Sequence, residues 1–403
     1  MHVAEWAKVP KHLLDTISGK LESFADYLQF GSVCLSWHWV IKHNQIKHMN
    51  KFRRHQAPML LTSDEDEHTW SLYDVNHNTF SKSKFSIPYN KRFSGSSLGW
   101  LLTVNEDYTV TLYKACSMVK GGENISICLP ALFPPEPFDY DESFTPELDE
   151  RSFEVHAYHV SKMLVTADPL TNKEECTVVV IYGDRLELAF FRLAKDTTWT
   201  KLRAYYDAQP IMVLDILYAN DIFYAVNEEG AVISFDVTDS CDSIVRLIAP
   251  KTRRPSKLPR YSDVLRYIVE SDRGELLQVM RYVYFRDVHE CRTTVCFLIL
   301  RLDFKTAEWI LVEDLGDVAL FLGGNASVSI TTSKFAPWKP NRIYITHDLD
   351  GIQLLGTNPM ICDLGVYHLK TRKFFLCYSI DSDVLIRMRN RPPIWVVPTI
   401  NEY

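Results

Sequence analysis

The pattern of apolar and polar positions changes near residue 58 of the chain. Before that point, apolar residues recur every three or four positions, as in "PKHLLDTISGKL", which is the spacing of one helix face. After it, the runs are short and mostly of period two, as in "TVTLYKA", and others such as "IFYAVN" are rich in apolar and aromatic residues, which is typical of β-strands. The pattern predicts a small helical unit followed by a long, mainly β region.

The helical pattern occupies residues 1–44 and divides into three apolar sets, which predict three short helices. Pro10 suits the first turn of the first helix, and Gly19 and Gly31 separate the sets. A unit of this size cannot bury a self-sufficient core. Because a basic linker at residues 45–57 follows it, we expect the unit to project and to pack against a partner protein.

Residues 58–403 contain short strands with turn signals and almost no helical pattern, which predicts a β-propeller of repeated four-stranded units. About six units are expected, with seven blades as the alternative. Their predicted bounds are 58–88, 92–130, 152–202, 211–250, 258–315 and 318–378. The first unit is one strand short, and the apolar piece "PIWVVP" at 393–398 is expected to supply that strand and close the ring.

Composition narrows the classes of protein and of partner. The net charge of −7 disfavours a nucleic-acid partner, and no apolar run approaches 18 residues, so no membrane segment is predicted. The first residues do not resemble a secretory leader. The expected location is intracellular, in the nucleus or the cytoplasm, and the 9 irregularly spaced cysteines are expected to be free thiols.

One stretch, "SGSSLGWLL", contains the Gly-x-Ser-x-Gly sequence of a hydrolase nucleophile elbow at residues 95–99, with Ser97 as the candidate nucleophile. An elbow requires a helix directly after the serine, whereas the following residues have a strand pattern. We therefore expect Gly95 and Gly99 to permit tight β geometry, and no catalytic residue is predicted.

Metal and phosphate sites are not predicted either. Cys291 and Cys296 have no second pair to complete a zinc site, and His156 and His159 lie on what reads as one strand, with opposite orientations. Neither a Walker A sequence nor a Gly-x-Gly-x-x-Gly sequence occurs. The expectation is a protein without enzymatic activity, metal or cofactor.

Two proline-rich connections carry opposite charge, an acidic one at 134–151 and a basic one at 250–260. Most such segments are solvated loops, but they are also candidates for a substrate-binding surface. The alternative is that they pair with each other. The candidate residues are Asp139, Asp141, Glu142, Arg253, Arg254 and Lys257.

The helical unit resembles an F-box. The matching positions are Trp6, Pro10, Leu13, Leu14, Ile17, Leu21, Asp26, Phe30, Val33, Cys34 and Trp37. Two departures are Val9, where leucine is usual, and His38, where arginine is common. The β region resembles the plant KIB-type F-box family with a kelch-like domain, through pieces such as "GSSLGWLLTV", "LDILYANDIFYAVNEEGAVISFDV" and "PPIWVVP".

The resemblance implies a substrate-recognition subunit of a Skp–cullin–F-box (SCF) ubiquitin ligase. The F-box would dock on a Skp-type adaptor, and through it on cullin, while the propeller would hold an unknown protein substrate. The expected adaptor-binding residues are Pro10, Leu13, Leu14, Ile17, Leu21, Val33, Cys34 and Trp37, with Leu14 and Trp37 among the central anchors. The alternative is an interaction scaffold without ligase activity.

Overall fold

The computed structural model describes most of the sheet-forming chain and part of the helical unit. The described residues are 9–21, 30–31, 33–43, 58–63, 69–74, 79–86, 92–115, 125–135, 156, 159–203, 205–206, 209–237, 245–252, 262–284, 293–335, 338–346, 364–376 and 393–397. The basic linker at 45–57 lies outside them.

Two helices are described near the N-terminus, α1 (Lys11–Ser18) and α2 (Leu35–His43). Pro10 stands directly before α1, and its carbonyl accepts the N–H groups of Leu13 and Leu14. A proline costs nothing at a helix start, because the first N–H groups have no partner within the helix. The predicted middle helix falls largely on residues 22–29, which lie outside the described residues.

The strands of the described residues form six larger sheets and one two-stranded ribbon. The first thirteen strands are β1 (Met59–Ser63), β2 (Thr69–Asp74), β3 (Thr79–Ser86), β4 (Gly95–Ser97), β5 (Trp100–Val104), β6 (Thr109–Lys114), β7 (Ser126–Ala131), β8 (Val160–Val165), β9 (Thr177–Tyr182), β10 (Glu187–Arg192), β11 (Thr200–Leu202), β12 (Tyr205–Tyr206) and β13 (Gln209–Pro210). The others are β14 (Val213–Ala219), β15 (Ile222–Asn227), β16 (Val232–Phe235), β17 (Val245–Ala249), β18 (Ser262–Glu270), β19 (Leu276–Tyr284), β20 (Thr293–Asp303), β21 (Glu308–Val312), β22 (Val318–Leu322), β23 (Ser327–Thr331), β24 (Arg342–Ile345), β25 (Gly365–His368), β26 (Lys373–Leu376) and β27 (Ile394–Val396).

The sheets are numbered in chain order from their first strands. Sheet 1 has the order β27-β1-β2-β3, sheet 2 is β4 to β7, sheet 3 is β8 to β11, sheet 4 is β14 to β17 and sheet 5 is β18 to β21. In each, an edge strand contacts the edge strand of another sheet: β27 with β4, β4 with β8, β8 with β14, and β14 with β18. Strand β18 contacts β23 of sheet 6. The inner edges therefore meet around an axis, and the chain is mainly β with a propeller fold.

The C-terminal strand closes the arrangement, as the sequence predicts. Strand β27 pairs antiparallel with β1, with Trp395 opposite Leu60. The side chain of Asn325, just before β23, donates to the Trp395 carbonyl at 2.8 Å and accepts the Trp395 N–H at 3.4 Å. The last described strand is thus bound to both the first sheet and the sixth.

Sheet 6 departs from the predicted four-stranded unit. Its order is β23-β22-β24-β25-β26, and β22 pairs parallel with β24. Strand β23 lies on the inner side of β22. The next strand, β24, therefore pairs with the outer side of β22 and runs parallel to it. A parallel pair needs a crossover connection, and residues 332–341 provide it.

The core lies between neighbouring sheets, so several strands are covered on both faces. All six residues of β9 are buried, which explains the uninterrupted apolar run "VVVIY". Its side chains alternate between two clusters: Val178 and Val180 face sheet 2, while Val179 and Ile181 face sheet 4.

Candidate functional site

The helical unit has a small interior of its own. Leu14, Phe30 and Val40 are buried together, and Leu21 and Trp37 pack against them. The rings of Phe30 and Trp37 lie 4.2 Å apart between centroids. Leu14 is 0% exposed and therefore faces the interior of the helical unit, while its role in adaptor binding stays a prediction. Helical spacing places Leu13 and Leu14 in one apolar stripe, and only the packing of Phe30 and Val40 selects Leu14 for the interior.

Two helix faces carry exposed apolar pairs at i, i+4 spacing. On α1 these are Leu13, 46% exposed, and Ile17, 41% exposed. On α2 they are Leu35, 89% exposed, and Trp39, 45% exposed. Residues four apart lie on the same side of a helix, so each pair forms one apolar strip. Sequence analysis missed Leu35 and Trp39, because they lie outside the stripe of Val33, Trp37 and Val40.

The two helices meet near these strips. The Lys11 ammonium group lies 3.5 Å from the centroid of the Trp39 ring, a cation–π contact between the start of α1 and the middle of α2. Pro10 and Val33 are exposed as well. Of the predicted adaptor-binding residues, Pro10, Leu13, Ile17 and Val33 are therefore on the surface, whereas Leu21, Cys34 and Trp37 are half-buried.

Cys34 precedes α2, and its Sγ lies 3.0 Å from the Ser36 hydroxyl oxygen. Hydrogen bonds from the Ser36 side chain and from the Trp37 backbone stabilise the thiolate, so the pKa of Cys34 is lower than usual. By contrast, burial raises the pKa of Cys176 to about 12. The four cysteines within the described residues, Cys34, Cys128, Cys176 and Cys296, are free thiols, as predicted.

The Gly-x-Ser-x-Gly sequence forms a β-hairpin between β4 and β5. Leu98 and Gly99 both have positive φ, 50° and 76°, which matches the two central residues of a type I′ turn. Strand β5 follows directly, so Ser97 does not begin a helix. The Ser97 hydroxyl accepts the N–H of Val165 in β8 at 3.1 Å, and it therefore links two inner strands. The expectation of tight β geometry is confirmed.

The centre of the sheet arrangement contains a buried ion pair. Lys162 of β8 forms an ion pair with Asp215 of β14. The two residues are only 6% and 1% exposed. Lys162 also donates to the Ser327 hydroxyl at 2.8 Å, and Ser327 donates to Asp215 at 2.7 Å. Asp215 further accepts the Ile268 N–H at 2.9 Å. Residues of sheets 3, 4, 5 and 6 thus meet in one hydrogen-bonded group.

The charged side chains of both proline-rich connections, Asp139 to Glu142 and Arg253 to Lys257, lie outside the described residues. Residues flanking them are held together. His159 bonds through Nε2 to the Phe133 carbonyl at 2.6 Å, and Arg266 donates to the Thr252 hydroxyl at 2.8 Å. Burial lowers the pKa of His159, and this effect is larger than the opposite effect of the hydrogen bond to Phe133. Described residues on the two sides of each connection are therefore hydrogen-bonded to each other.

Metal-binding groupings of three or more His, Cys, Asp or Glu side chains do not occur among the described residues. Of the sequence candidates, Cys296, His156 and His159 are described, and His159 is packed between the rings of Tyr108 and Tyr182. Within the described part of the chain, no helix has the length and apolar character needed to span a membrane.

A profile of the family described as KIB1-4 beta-propeller matches residues 72–368, well over half of the chain. The chain belongs to the KIB1-4 beta-propeller family. The resemblance to plant KIB-type F-box proteins is therefore confirmed. The family match begins within β2 of sheet 1 and ends with β25 of sheet 6, so it includes strands of all six sheets but not β1, β26 or β27.

The alignments with two curated relatives also include the helical unit. F-box protein SKIP23 of Arabidopsis thaliana is 24% identical over 98% of this chain and 96% of its own length. F-box protein At2g17036 of the same plant is 25% identical over 97% of this chain and 95% of its own length. Among solved structures, the β-propeller domain of Cps50 (Swd1) from Myceliophteria thermophila has a TM-score of 0.34 and 10% identity, covering 72% of this chain and 90% of that chain.

Proposed function

We propose that this KIB-family protein is the substrate-recognition subunit of an SCF ubiquitin ligase. Residues 1–44 act as the F-box and dock on a Skp-type adaptor, which connects them to cullin. Residues 58–403 form a six-bladed propeller that holds the protein to be ubiquitylated. The observation that carries this proposal is the nearly full-length similarity to F-box proteins, combined with exposed apolar strips on both described helices.

The docking surface consists of the exposed members of the helical unit. Leu13, Ile17, Leu35 and Trp39 present large apolar groups to solvent. A specific interface buries about 1,000 Å² or more and depends on a few well-packed apolar anchors. Leu14 and Trp37 contribute indirectly, because their packing in the interior fixes the angle between the two helices that carry the strips.

The contribution to ubiquitylation is positional. A receptor that binds both ligase and substrate keeps substrate lysines at a high effective concentration near the conjugating enzyme. This role needs no nucleophile, metal or cofactor on the chain. The protein would act in the nucleus or the cytoplasm, where the ligase operates.

The docking proposal is tested with the double variant Leu13→Asp plus Ile17→Asp. Two buried charges at an interface centre cost several kcal/mol, so capture of a purified Skp-type adaptor is expected to fall at least 30-fold. The measurement is the affinity of the full chain for the adaptor by titration calorimetry. A matched control is Leu247→Asp, on the outer strand β17, where the leucine is 52% exposed.

The control is expected to bind the adaptor like the wild type. Undiminished binding by the Leu13 and Ile17 double variant would contradict the docking surface. Failure of the wild-type chain to bind any Skp-type adaptor would favour the scaffold alternative. Far-UV circular dichroism of each variant separates a lost contact from a lost fold.

For the substrate surface, we propose the two charged connections, with Asp139, Asp141 and Glu142 in one and Arg253, Arg254 and Lys257 in the other. The hydrogen bonds between Phe133 and His159 and between Thr252 and Arg266 hold the described residues next to the two connections in place, which supports this proposal. Reversing Arg253, Arg254 and Lys257 to glutamate is expected to reduce labelling of substrates by a proximity-labelling fusion that lacks residues 1–44. Unchanged labelling would remove this surface from consideration.

A further inference from the structure

A cleft opens between sheets 4 and 5, at the end of the strands away from the basic connection. Its volume is about 190 Å³. One water molecule occupies about 30 Å³ in the liquid, so the cleft has room for a larger group. The lining residues are Ala219, Asn220, Tyr224, Glu270, Gly274, Leu276 and Phe304. Strand β18 begins at residue 262 beside the basic connection and ends at Glu270, and Arg266, which bonds to Thr252 of that connection, lies four residues or roughly 13 Å before Glu270.

Tight turns shape the rim of the cleft. Asn220 and Asp221 join β14 to β15 with φ values of 52° and 61°, and Gly274 turns the chain before β19 with φ of 75°. Asn220 donates to a carboxylate oxygen of Glu270 at 3.3 Å, which connects the two sheets across the rim. The polar groups are thus held by rigid hairpins.

The floor of the cleft is aromatic and apolar. Tyr224 is 7% exposed and belongs with Leu276 to the apolar cluster between the two sheets. Its hydroxyl group makes no hydrogen bond to any described residue, although the ring lines the cleft. Burial and the charge of Glu270 raise the pKa of Tyr224, so the ring carries no negative charge of its own. Phe304 stands at the mouth and is 55% exposed.

Two carboxylates lie at or beside the mouth. Glu270 contributes a half-buried carboxylate, and Asp221, beside Asn220, accepts the Tyr218 hydroxyl at 3.1 Å. Aromatic faces together with carboxylates attract cations, and a guanidinium group stacks on rings while it bonds to carboxylate oxygens. An anionic ligand would meet repulsion from Glu270.

We propose that this cleft binds the side chain of an arginine, or less strongly a lysine, in an exposed segment of a partner protein. The guanidinium plane lies against Tyr224 and Phe304 and donates to Glu270. The biological meaning rests on the proposed substrate-receptor role, since such a segment would belong to the bound substrate. The binding itself needs no adaptor.

The test uses the full chain and a fluorescent probe peptide, acetyl-Ala-Ala-Arg-Ala-Ala, in a polarisation titration. A second peptide replaces arginine with citrulline, which keeps the shape and removes the charge. The arginine peptide is expected to saturate the protein and the citrulline peptide to bind at least about tenfold more weakly. The variants Phe304→Ala and Glu270→Gln are each expected to weaken arginine-peptide binding about threefold to thirtyfold.

The matched control is Phe375→Ala, since Phe375 is 53% exposed but lies on β26 of sheet 6. It is expected to bind the arginine peptide within twofold of the wild type. Equal binding of both peptides, absence of saturable binding, or an equal loss in Phe375→Ala would overturn the proposal. Because adaptor capture is measured separately, a failed cleft and a failed receptor role give different results.

Discussion

At the scale of single residues, small side chains decide how closely the inner strands approach one another. A Cβ atom on Gly95 would lie 2.5 Å from Cβ of Met163 and 2.8 Å from its backbone nitrogen. Glycine is therefore required where β4 crosses β8. Ser97, two residues later, bonds to the same strand through Val165. A sequence that resembles a hydrolase elbow is thus a contact between two sheets.

Gly95→Ala is expected to lower the free energy of unfolding by about 1–3 kcal/mol, because the added methyl group forces β4 away from β8. Urea unfolding followed by tryptophan fluorescence measures this difference. Ser97→Ala removes one hydrogen bond without a clash, and about 1 kcal/mol is expected. An unchanged urea midpoint for Gly95→Ala would contradict the close approach.

At the scale of the element, β27 shows how a strand of three residues can hold a ring closed. Backbone pairing with β1 involves only Met59 to Leu61, which is a short ladder. Trp395 adds an apolar contact: it is 0% exposed and its ring lies edge-on to Phe321 at 5.0 Å. The indole N–H also donates to the Leu322 carbonyl at 3.1 Å. Side-chain burial against sheet 6 therefore outweighs the few ladder bonds.

Trp395→Ala is expected to cost about 3–5 kcal/mol of unfolding free energy, from lost burial and the cavity left behind. The measurement is chemical denaturation of the full chain. Phe375→Ala is the comparison, since it removes an aromatic ring that is already half exposed, and less than about 1 kcal/mol is expected there. If both variants lost the same stability, β27 would not be the closing element.

At the scale of the whole molecule, the Lys162–Asp215 pair connects sheets that are not all neighbours. Sheets 3 and 6 meet through Lys162 and Ser327, and sheet 5 joins through the Ile268 N–H. Buried charges are costly unless they are paired and hydrogen-bonded, and here both conditions hold. The axis of the propeller is thus occupied by a polar group that specifies the positions of four sheets.

Removing one partner alone leaves a buried charge, so Lys162→Met and Asp215→Asn are each expected to cost about 3–5 kcal/mol. Asp215→Asn is expected to be the milder of the two, because an amide oxygen can still accept backbone N–H groups. The double variant should cost clearly less than the sum, which a double-mutant cycle in urea measures. Strict additivity would show that the two side chains are not coupled.

Local pattern predicted most elements of this fold. The strand-like run "IFYAVN" predicted a strand at Ile222–Asn227, and its bounds agree with the structure. The closing strand was also predicted, because an apolar piece remained after the last unit. The parallel pair in sheet 6 was not, since alternation specifies which side of a strand is apolar and not which strand lies beside it.

The sequence by itself determined the two-part organisation, the family and the apolar stripe of Leu13, Leu14 and Ile17, because helical and strand periods and family-specific residues are local properties of the chain. Tertiary structure alone decided that Leu14 is interior, that Lys162 is buried and that Tyr224, Glu270 and Phe304 share a cleft. Those residues are separated by tens of positions, and their proximity depends on how whole sheets pack. Burial and charge pairing are properties of that packing, and no local pattern contains them.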